Sequence, residues 1–251
     1  MTERLYLTDA YLQRFDATVL SAGSGADGGP ARVALDRSAF YPTGGGQPHD
    51  TGYISWSDAS GAAVGAPVVD VRSGDDRTVW HLLPAGSPLP PVGATVHGEL
   101  DWSRRHALMR THTTMHVMGG AIWHTWGRLA TGSNMDARTG RLDFDFDVLP
   151  DDFVPRLQAA CDAAVASDYP ITVEFLPRSV ALVDDALLRT KANLIPEAVD
   201  EIRVIDIVGF DKQADGGTHV RSTAEIGRIR IVKTESKGKG FKRVRAVVED
   251  A

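Results

Sequence analysis

The chain has 251 residues, of which 43% are hydrophobic and 24% are charged, and these are the proportions of an ordinary globular protein. This composition excludes a disordered, collagenous or coiled-coil chain, and no apolar run reaches the ~18 residues that a membrane-spanning helix needs. The N-terminal residues lack the apolar stretch of a signal peptide. Cys161 is the single cysteine, which excludes an internal disulfide and an all-thiolate metal site. We therefore expect a cytoplasmic protein with no membrane partner.

Charge is distributed unevenly along the chain. The formal net charge is -6, but residues 228–245 carry eight basic residues and one acid, so that this window has a charge of +7 and the rest of the chain -13. An acidic body with one basic segment is typical of a local contact with a polyanion. The alternative is a solvated pair of strands whose charges face water.

The first 95 residues alternate short apolar runs with clusters of Gly, Pro, Ser and Asp. Runs such as ATVLSAG, DTGYISWSD and TVWHLLPAG are typical of short strands separated by turns. One further strand, ATVHGELD, follows the Pro- and Gly-rich stretch PAGSPLPPVG. We predict a small N-terminal β domain over residues 1–95, either a barrel or a sandwich.

The pattern becomes helical after residue 100. Residues 101–126 have helical spacing, with Asp101 or Ser103 as the N-cap. The strictly alternating string RLDFDFDV predicts a half-buried strand whose phenylalanines face the core. A helix (151–168), a strand (170–178), a short helix (181–192), a strand (201–210) and a hairpin around KGKG follow. We predict an α+β domain over residues 96–251, with helices packed on an antiparallel sheet.

Two pairs of candidate metal ligands lie about a hundred residues apart. His112 and His116 are four residues apart on the predicted helix, a spacing that places both imidazoles on one face, as a metal ion requires. Asp215 and His219 flank two glycines in a loop, so that both side chains can converge on the same cation. The alternatives are a packed or solvent-facing histidine pair and an ordinary Asp-Gly-Gly turn.

A glycine-rich string, FYPTGGGQPHDTG, lies in the N-terminal part of the chain. Gly44, Gly45 and Gly46 would place backbone amides against a ligand with no side chain between them. A hairpin turn is the alternative, and because no helix pattern follows, the string is not a phosphate-binding P-loop.

Five strings follow one another along the chain: FYPTGGGQPHDTG, RTHTTMHVM, GSN with GRLDFDFD, QADGGTHV, and the KGKG hairpin. In this order they resemble the alanyl-tRNA editing proteins, or AlaX family, which are free-standing relatives of the editing domain of alanyl-tRNA synthetase. The resemblance extends from about residue 34 to residue 248. It implies a small β-barrel domain before the editing domain, and hydrolysis of the ester that joins a wrong amino acid, typically serine or glycine, to alanine tRNA.

The resemblance also implies roles for individual residues. A zinc ion would be held by four ligands, namely His112, His116, Asp215 and His219. The glycine-rich loop, Gly44, Gly45, Gly46 and Gln47, would help to distinguish serine from alanine, and Thr113 would lie near the amino acid of the substrate. We therefore expect Thr113 and Gln47 to be catalytic side chains that contact the substrate hydroxyl, because a polar pocket rejects a substrate that leaves its groups unpaired.

The chain departs from the family pattern at Asp215, where the family has the cysteine of CGGTH. A carboxylate is a harder ligand than a thiolate, so we expect weaker zinc binding and a stronger Lewis acid. Another divalent metal, or a site without metal, is the alternative.

The basic hairpin gains a specific interpretation from the resemblance. We expect the acceptor-end phosphates of tRNA to bind Lys237, Lys239, Lys242 and Arg243, and Arg104, Arg105 and Arg110 to extend this track. The leading hypothesis is a metal-dependent deacylase of mischarged alanine tRNA. The alternatives are a degenerate or re-tasked tRNA-binding module without hydrolysis, and a metallohydrolase acting on a small ester or amide.

Overall fold

The computed structural model describes residues 1–25, 29–181, 187, 200–238 and 240–250. They form two units, of which the first comprises Met1–Gly44 and Pro48–His106, and the second Gly45–Gln47 and Ala107–Ala251. Three residues of the glycine-rich string thus belong to the second unit, although the chain on both sides of them belongs to the first. Among the described helices, none has both the length and the apolar character that crossing a membrane requires.

Antiparallel strands build the first unit. Its described strands are β1 (Glu3–Arg4), β2 (Arg14–Gly23), β3 (Ala31–Leu35), β4 (Arg37–Ser38), β5 (Gly52–Ser57), β6 (Ala63–Val68), β7 (Asp70–Ser73), β8 (Val79–Leu83) and β9 (Thr95–Leu100). Seven of them form one sheet in the order β6-β5-β9-β2-β3-β8-β7, while β1 and β4 pair separately in parallel. The edge strands β6 and β7 are joined by Val69 alone, so the sheet is curled.

Alternation of side chains explains the core of this sheet. In β2, Phe15, Ala17 and Val19 are buried while the residues between them are exposed, as the period of two requires. Gly98 on β9 leaves room for the Phe15 ring, because a Cβ at this position would lie 2.4 Å from a ring carbon. The strands predicted for the first 95 residues are confirmed in this sheet.

One buried ion pair lies within the first unit. The Arg105 side chain is fully buried; its Nε donates to Asp50 at 3.0 Å, and its remaining nitrogens donate to the carbonyls of Ala10 and Ala39. A buried guanidinium of this kind is stable because its hydrogen bonds are satisfied. The expectation that Arg105 contacts phosphate is therefore wrong.

The second unit is an α+β arrangement, as predicted. Its elements are α1 (Trp102–Trp126, which begins in the first unit), β10 (Ala130–Asp136), β11 (Thr139–Asp145), α2 (Phe153–Ala166), β12 (Ile171–Pro177), α3 (Arg178–Ala181), β13 (Glu201–Ile207), β14 (Asp211–Ala214), β15 (Arg228–Ser236) and β16 (Phe241–Glu249). Two antiparallel sheets have the orders β10-β11-β16-β15 and β12-β13-β14. Most of the short helix predicted at 181–192 lies outside the described residues.

Helix α1 is central to the site. Asp101 is its N-cap, because the carboxylate accepts the Arg104 backbone N–H at 3.1 Å, one of the two caps that the sequence predicts. Every residue from 108 to 122 is buried, so this part of the helix is enclosed by protein on all sides. Gly120 lets Asp211 at the start of β14 approach, since a Cβ at Gly120 would lie 2.9 Å from the Asp211 Cβ. Histidines placed on this stretch of helix are therefore removed from solvent.

Candidate metal centre

The four predicted metal ligands lie together in the second unit. His112 and His116 come from successive turns of α1, Asp215 directly follows β14, and His219 is four residues further along the loop. Each offers one ligand atom, and these atoms all lie within 4.8 Å of one another. The structure thus brings together two pairs of residues that are a hundred positions apart in the sequence.

The distances fit a tetrahedral cation. Asp215 Oδ1 is 3.6 Å from His112 Nε2 and 4.0 Å from His116 Nε2, and Asp215 Oδ2 is 3.1 Å from His219 Nε2. Ligand atoms at zinc distances of 2.0–2.2 Å are separated by about 3.3–3.6 Å at the corners of a tetrahedron. Small side-chain adjustments therefore suffice for these donors to hold one ion.

The protonation states of the cluster also fit a cation. Burial lowers the pKa of His116 to about 4 and also lowers the pKa values of His112 and His219. Burial alone would raise the pKa of Asp215, but His112 and the other two imidazoles outweigh it and hold this pKa well below 3.8. Neutral imidazoles and a charged carboxylate are the forms in which these side chains bind a divalent metal. At neutral pH the four side chains are therefore in the protonation states that metal binding requires.

Arg203 holds the turn that carries Asp215. This buried arginine of β13 donates from Nη1 to the carbonyl oxygens of Asp215 and Gly217, each at 2.9 Å. The Gly217 N–H donates to Asp215 Oδ2 at 2.5 Å, which fixes the carboxylate within the turn. Arg203 was not predicted from the sequence, where its only signal is a single arginine among the apolar residues of EIRVIDI.

The two side chains expected to contact the substrate each lie against a histidine of the candidate ligand cluster. Gln47 Oε1 is 3.0 Å from His112 Nδ1, and Thr113 Oγ1 is 3.2 Å from His219 Nδ1. Gln47 is 1% exposed and Thr113 is 0% exposed. Both side chains are thus enclosed next to the ligand cluster, on the ring nitrogens opposite the candidate ligand atoms.

The glycine-rich loop packs closely on β10. The Met135 N–H donates to the Gly46 carbonyl at 3.3 Å, and a Cβ at Gly46, whose φ is 86°, would lie 2.9 Å from Ser133 Oγ. Gly45 also has a positive φ, of 57°, whereas Gly44 belongs to the first unit, where its carbonyl accepts from the Tyr41 hydroxyl. Glycine at position 46 is therefore required for close approach to a neighbouring strand.

The basic hairpin contains cations with different surroundings. Arg243 donates to both oxygens of Asp143, at 2.6 and 2.8 Å, and only 13% of its side chain is exposed. Lys242 Nζ lies 3.1 Å from Ser236 Oγ, and Lys237 is exposed at the end of β15, while Lys239 lies outside the described residues. A phosphate would have to compete with Asp143 for Arg243, but not for the two described lysines.

Arg110 is not part of this surface. Its Nε donates to the Ile226 carbonyl at 2.7 Å, and its other nitrogens bind Asp250 and the Glu249 carbonyl at 2.7 and 2.6 Å. The residue is 7% exposed. The expectation that Arg110 extends a phosphate track is therefore wrong, and its role is to join α1 to the chain around β15 and β16.

Sequence comparison relates the chain to proteins of alanine tRNA metabolism. Residues 202–245 match the family described as the threonyl and alanyl tRNA synthetase second additional domain. The alanyl-tRNA editing protein AlaX-M of Saccharolobus solfataricus is 35% identical over 244 residues, covering 97% of this chain and 98% of the relative; that of Methanosarcina barkeri is 32% identical over 250 residues, covering 97% and 98%. The alanine–tRNA ligase of Pyrobaculum neutrophilum is 36% identical over 247 residues, which are 93% of this chain and 25% of the ligase. The chain belongs to the alanyl-tRNA editing protein family.

Proposed function

We propose that this protein is a cytoplasmic deacylase that removes wrongly attached amino acids from alanine tRNA, with Ser-tRNA(Ala) as substrate and Gly-tRNA(Ala) as a second one. Two findings support the proposal: the chain is similar to alanyl-tRNA editing proteins over nearly its full length, and its four candidate ligand atoms lie within 4.8 Å of one another. The cluster is the main support, since buried donors of ligand type that converge within 4.8 Å of one another are typical of a functional site.

We propose zinc as the ion, although Asp215 leaves room for another divalent metal. A bound zinc would supply a Lewis acid for the ester carbonyl. The protein's own residues keep three imidazoles neutral and one carboxylate charged, and Arg203 and the Gly217 N–H hold that carboxylate in place. Exchanging a thiolate for a carboxylate leaves the ligand charge unchanged, because both bind as monoanions.

Recognition of tRNA is assigned to the hairpin β15–β16. Lys237 is exposed and Lys242 is half-buried with its ammonium beside Ser236, whereas Arg243 can bind a phosphate only after its ion pair with Asp143 opens. Lys239 belongs to the same proposal on sequence grounds. The competing function is a tRNA-binding module without hydrolysis, and the replacement of the family cysteine by Asp215 is the observation that favours it.

A pair of helix variants tests the proposal. His116→Ala removes one candidate ligand, whereas His124→Ala removes a half-exposed histidine two turns further along the same helix. We expect His116→Ala to abolish deacylation of Ser-tRNA(Ala) and His124→Ala to retain it. Equal activity in both variants would refute the site, and tRNA binding without hydrolysis by the unmodified protein would favour the competing function.

A further inference from the structure

The orientation of the Gln47 amide is fixed by a backbone group. Gln47 Oε1 accepts the Thr218 backbone N–H at 3.0 Å, and Gln47 Nε2 donates to Thr218 Oγ1 at 2.9 Å. A backbone N–H can only donate, so the amide atom facing it must be the oxygen. The Gln47 oxygen is thereby identified without reference to any histidine.

The same oxygen determines which nitrogen of His112 carries hydrogen. Gln47 Oε1 lies 3.0 Å from His112 Nδ1, and a carbonyl oxygen can only accept. Nδ1 must therefore be the protonated nitrogen, and the neutral ring presents the lone pair of Nε2. Nε2 is the atom that faces Asp215 Oδ1, at 3.6 Å.

Thr113 makes the equivalent contact with His219. Its hydroxyl donates to the Met109 carbonyl at 2.9 Å and accepts the Val220 backbone N–H at 3.3 Å. One lone pair of the hydroxyl then remains for His219 Nδ1–H, at 3.2 Å. When Nε2 holds a cation, Thr113 therefore accepts from Nδ1–H of His219; without a cation, Nε2–H can donate to Asp215 Oδ2, which is 3.1 Å away.

We propose that Gln47 and Thr113 are positioning residues that hold His112 and His219 as Nδ1–H tautomers, with Nε2 directed at the metal position, rather than side chains that contact the substrate. Hydrogen bonds of this kind fix both the tautomer and the ring plane of a ligating histidine. The glycine-rich loop then acts on hydrolysis through Gln47 and a metal ligand. This inference rests on the proposed metal site for its purpose, but the His112 tautomer belongs to the metal-free protein and needs neither metal nor tRNA to be observed.

The direct test is ¹⁵N NMR of histidine-labelled, metal-free protein, with ring signals assigned by replacing each ligand histidine in turn. We expect the ring of His112 to give the pattern of an Nδ1–H tautomer in this protein, the ring of His219 to give it once Zn²⁺ is added, and Gln47→Met to change the His112 pattern selectively. An Nε2–H tautomer at His112 in the unmodified protein would overturn the proposal. This result does not depend on the variant, so it remains decisive if Gln47→Met fails to fold.

Metal affinity is the second measurement, by competition with a chromophoric chelator for Zn²⁺ and from the visible spectrum with Co²⁺. We expect Gln47→Met to weaken binding roughly 10- to 100-fold and Gln47→Glu, which keeps an acceptor oxygen, to restore most of the loss. Gln158→Met is the matched control, since Gln158 also makes three hydrogen bonds in this unit, to Asp162 and the backbone of β15, without contacting a ligand. Wild-type affinity and an unchanged Co²⁺ spectrum in folded Gln47→Met would contradict the proposal, whatever the deacylase assay shows.

Discussion

Adding one carbon atom at Gly217 tests the geometry of the ligand turn. A Cβ at this position would lie 2.2 Å from His112 Cε1, 2.4 Å from His112 Nδ1 and 2.8 Å from Gln47 Oε1, whereas ordinary contacts begin at 3.4 Å. Relief of this overlap requires His112 to move by more than an ångström, or the turn to move away from it. The ring is buried and the turn is held by Arg203, so we expect either movement to disturb the cluster.

The expected cost of Gly217→Ala follows from overpacking, which typically destabilises a packed site by about 1–3 kcal/mol. If all of this free energy is lost from metal binding and none from folding, the affinity for Zn²⁺ decreases by about 5- to 150-fold, because about 1.4 kcal/mol corresponds to a factor of ten. Competition with a chromophoric chelator measures this change, and thermal melting of the metal-free protein shows how much of the cost falls on folding.

Gly216→Ala is the matched control. A Cβ at Gly216 would meet nothing within 4 Å, and its φ lies outside the left-handed region. We expect wild-type affinity and stability for this variant. Wild-type Zn²⁺ affinity in Gly217→Ala, or an equal loss in both variants, would refute the reasoning about the turn.

Three further predictions follow from the site, the hairpin and the first unit. Asp215→Cys should bind Zn²⁺ more tightly than the unmodified protein and discriminate more strongly against Mn²⁺, because a thiolate is the softer ligand; a metal titration of both proteins measures this. Lys237→Ala combined with Lys242→Ala should weaken tRNA binding and make its dependence on salt shallower, as measured by filter binding at several ionic strengths. Burial lowers the pKa of His81 from 6.5 to about 4, so below pH 6.5 the unfolded chain takes up a proton that the folded chain refuses. This residue should therefore lower the free energy of unfolding by about 3 kcal/mol between pH 6.5 and pH 4. When the free energy of unfolding is measured by urea titration at several pH values, it should decrease less steeply with falling pH in His81→Gln than in the unmodified protein.

Each of these predictions has a contradicting result. An unchanged metal preference in Asp215→Cys would mean that position 215 does not ligate the ion. An unchanged salt dependence in the double lysine variant would return the hairpin to the solvated-strand interpretation. If the free energy of unfolding of His81→Gln depends on pH as steeply as that of the unmodified protein, His81 accepts its proton in the folded state.

The parts of the site that depend on local spacing were predictable from the sequence. A separation of four residues on a helix places His112 and His116 on one face, and the glycines between Asp215 and His219 allow both side chains to turn inward. The strict alternation in RLDFDFDV likewise predicted β11, in which Leu142 and Phe144 are buried. In each case the period of the backbone alone decides which side chains share a face.

The parts that depend on distant contacts were not predictable in this way. Gln47 reaches His112 across 65 residues and Thr218 across 171, and no local pattern carries that information. Strand β10 was missed because its sequence, ATGSNMD, is polar and does not alternate; its pairing with β11 stabilises it instead. Arg105 was interpreted from its charge alone, although burial beside Asp50 decides its role.

Hydrolysis of Ser-tRNA(Ala) by the unmodified protein tests the central claim most directly, when it is measured as purified, after treatment with a chelator, and after Zn²⁺ is added back. The account predicts deacylation that is lost with the chelator and recovers with zinc, while correctly charged Ala-tRNA(Ala) stays intact. Absence of deacylation in all three conditions, with tRNA still bound, would contradict the account and establish a tRNA-binding protein whose buried ligand cluster does not hydrolyse the ester.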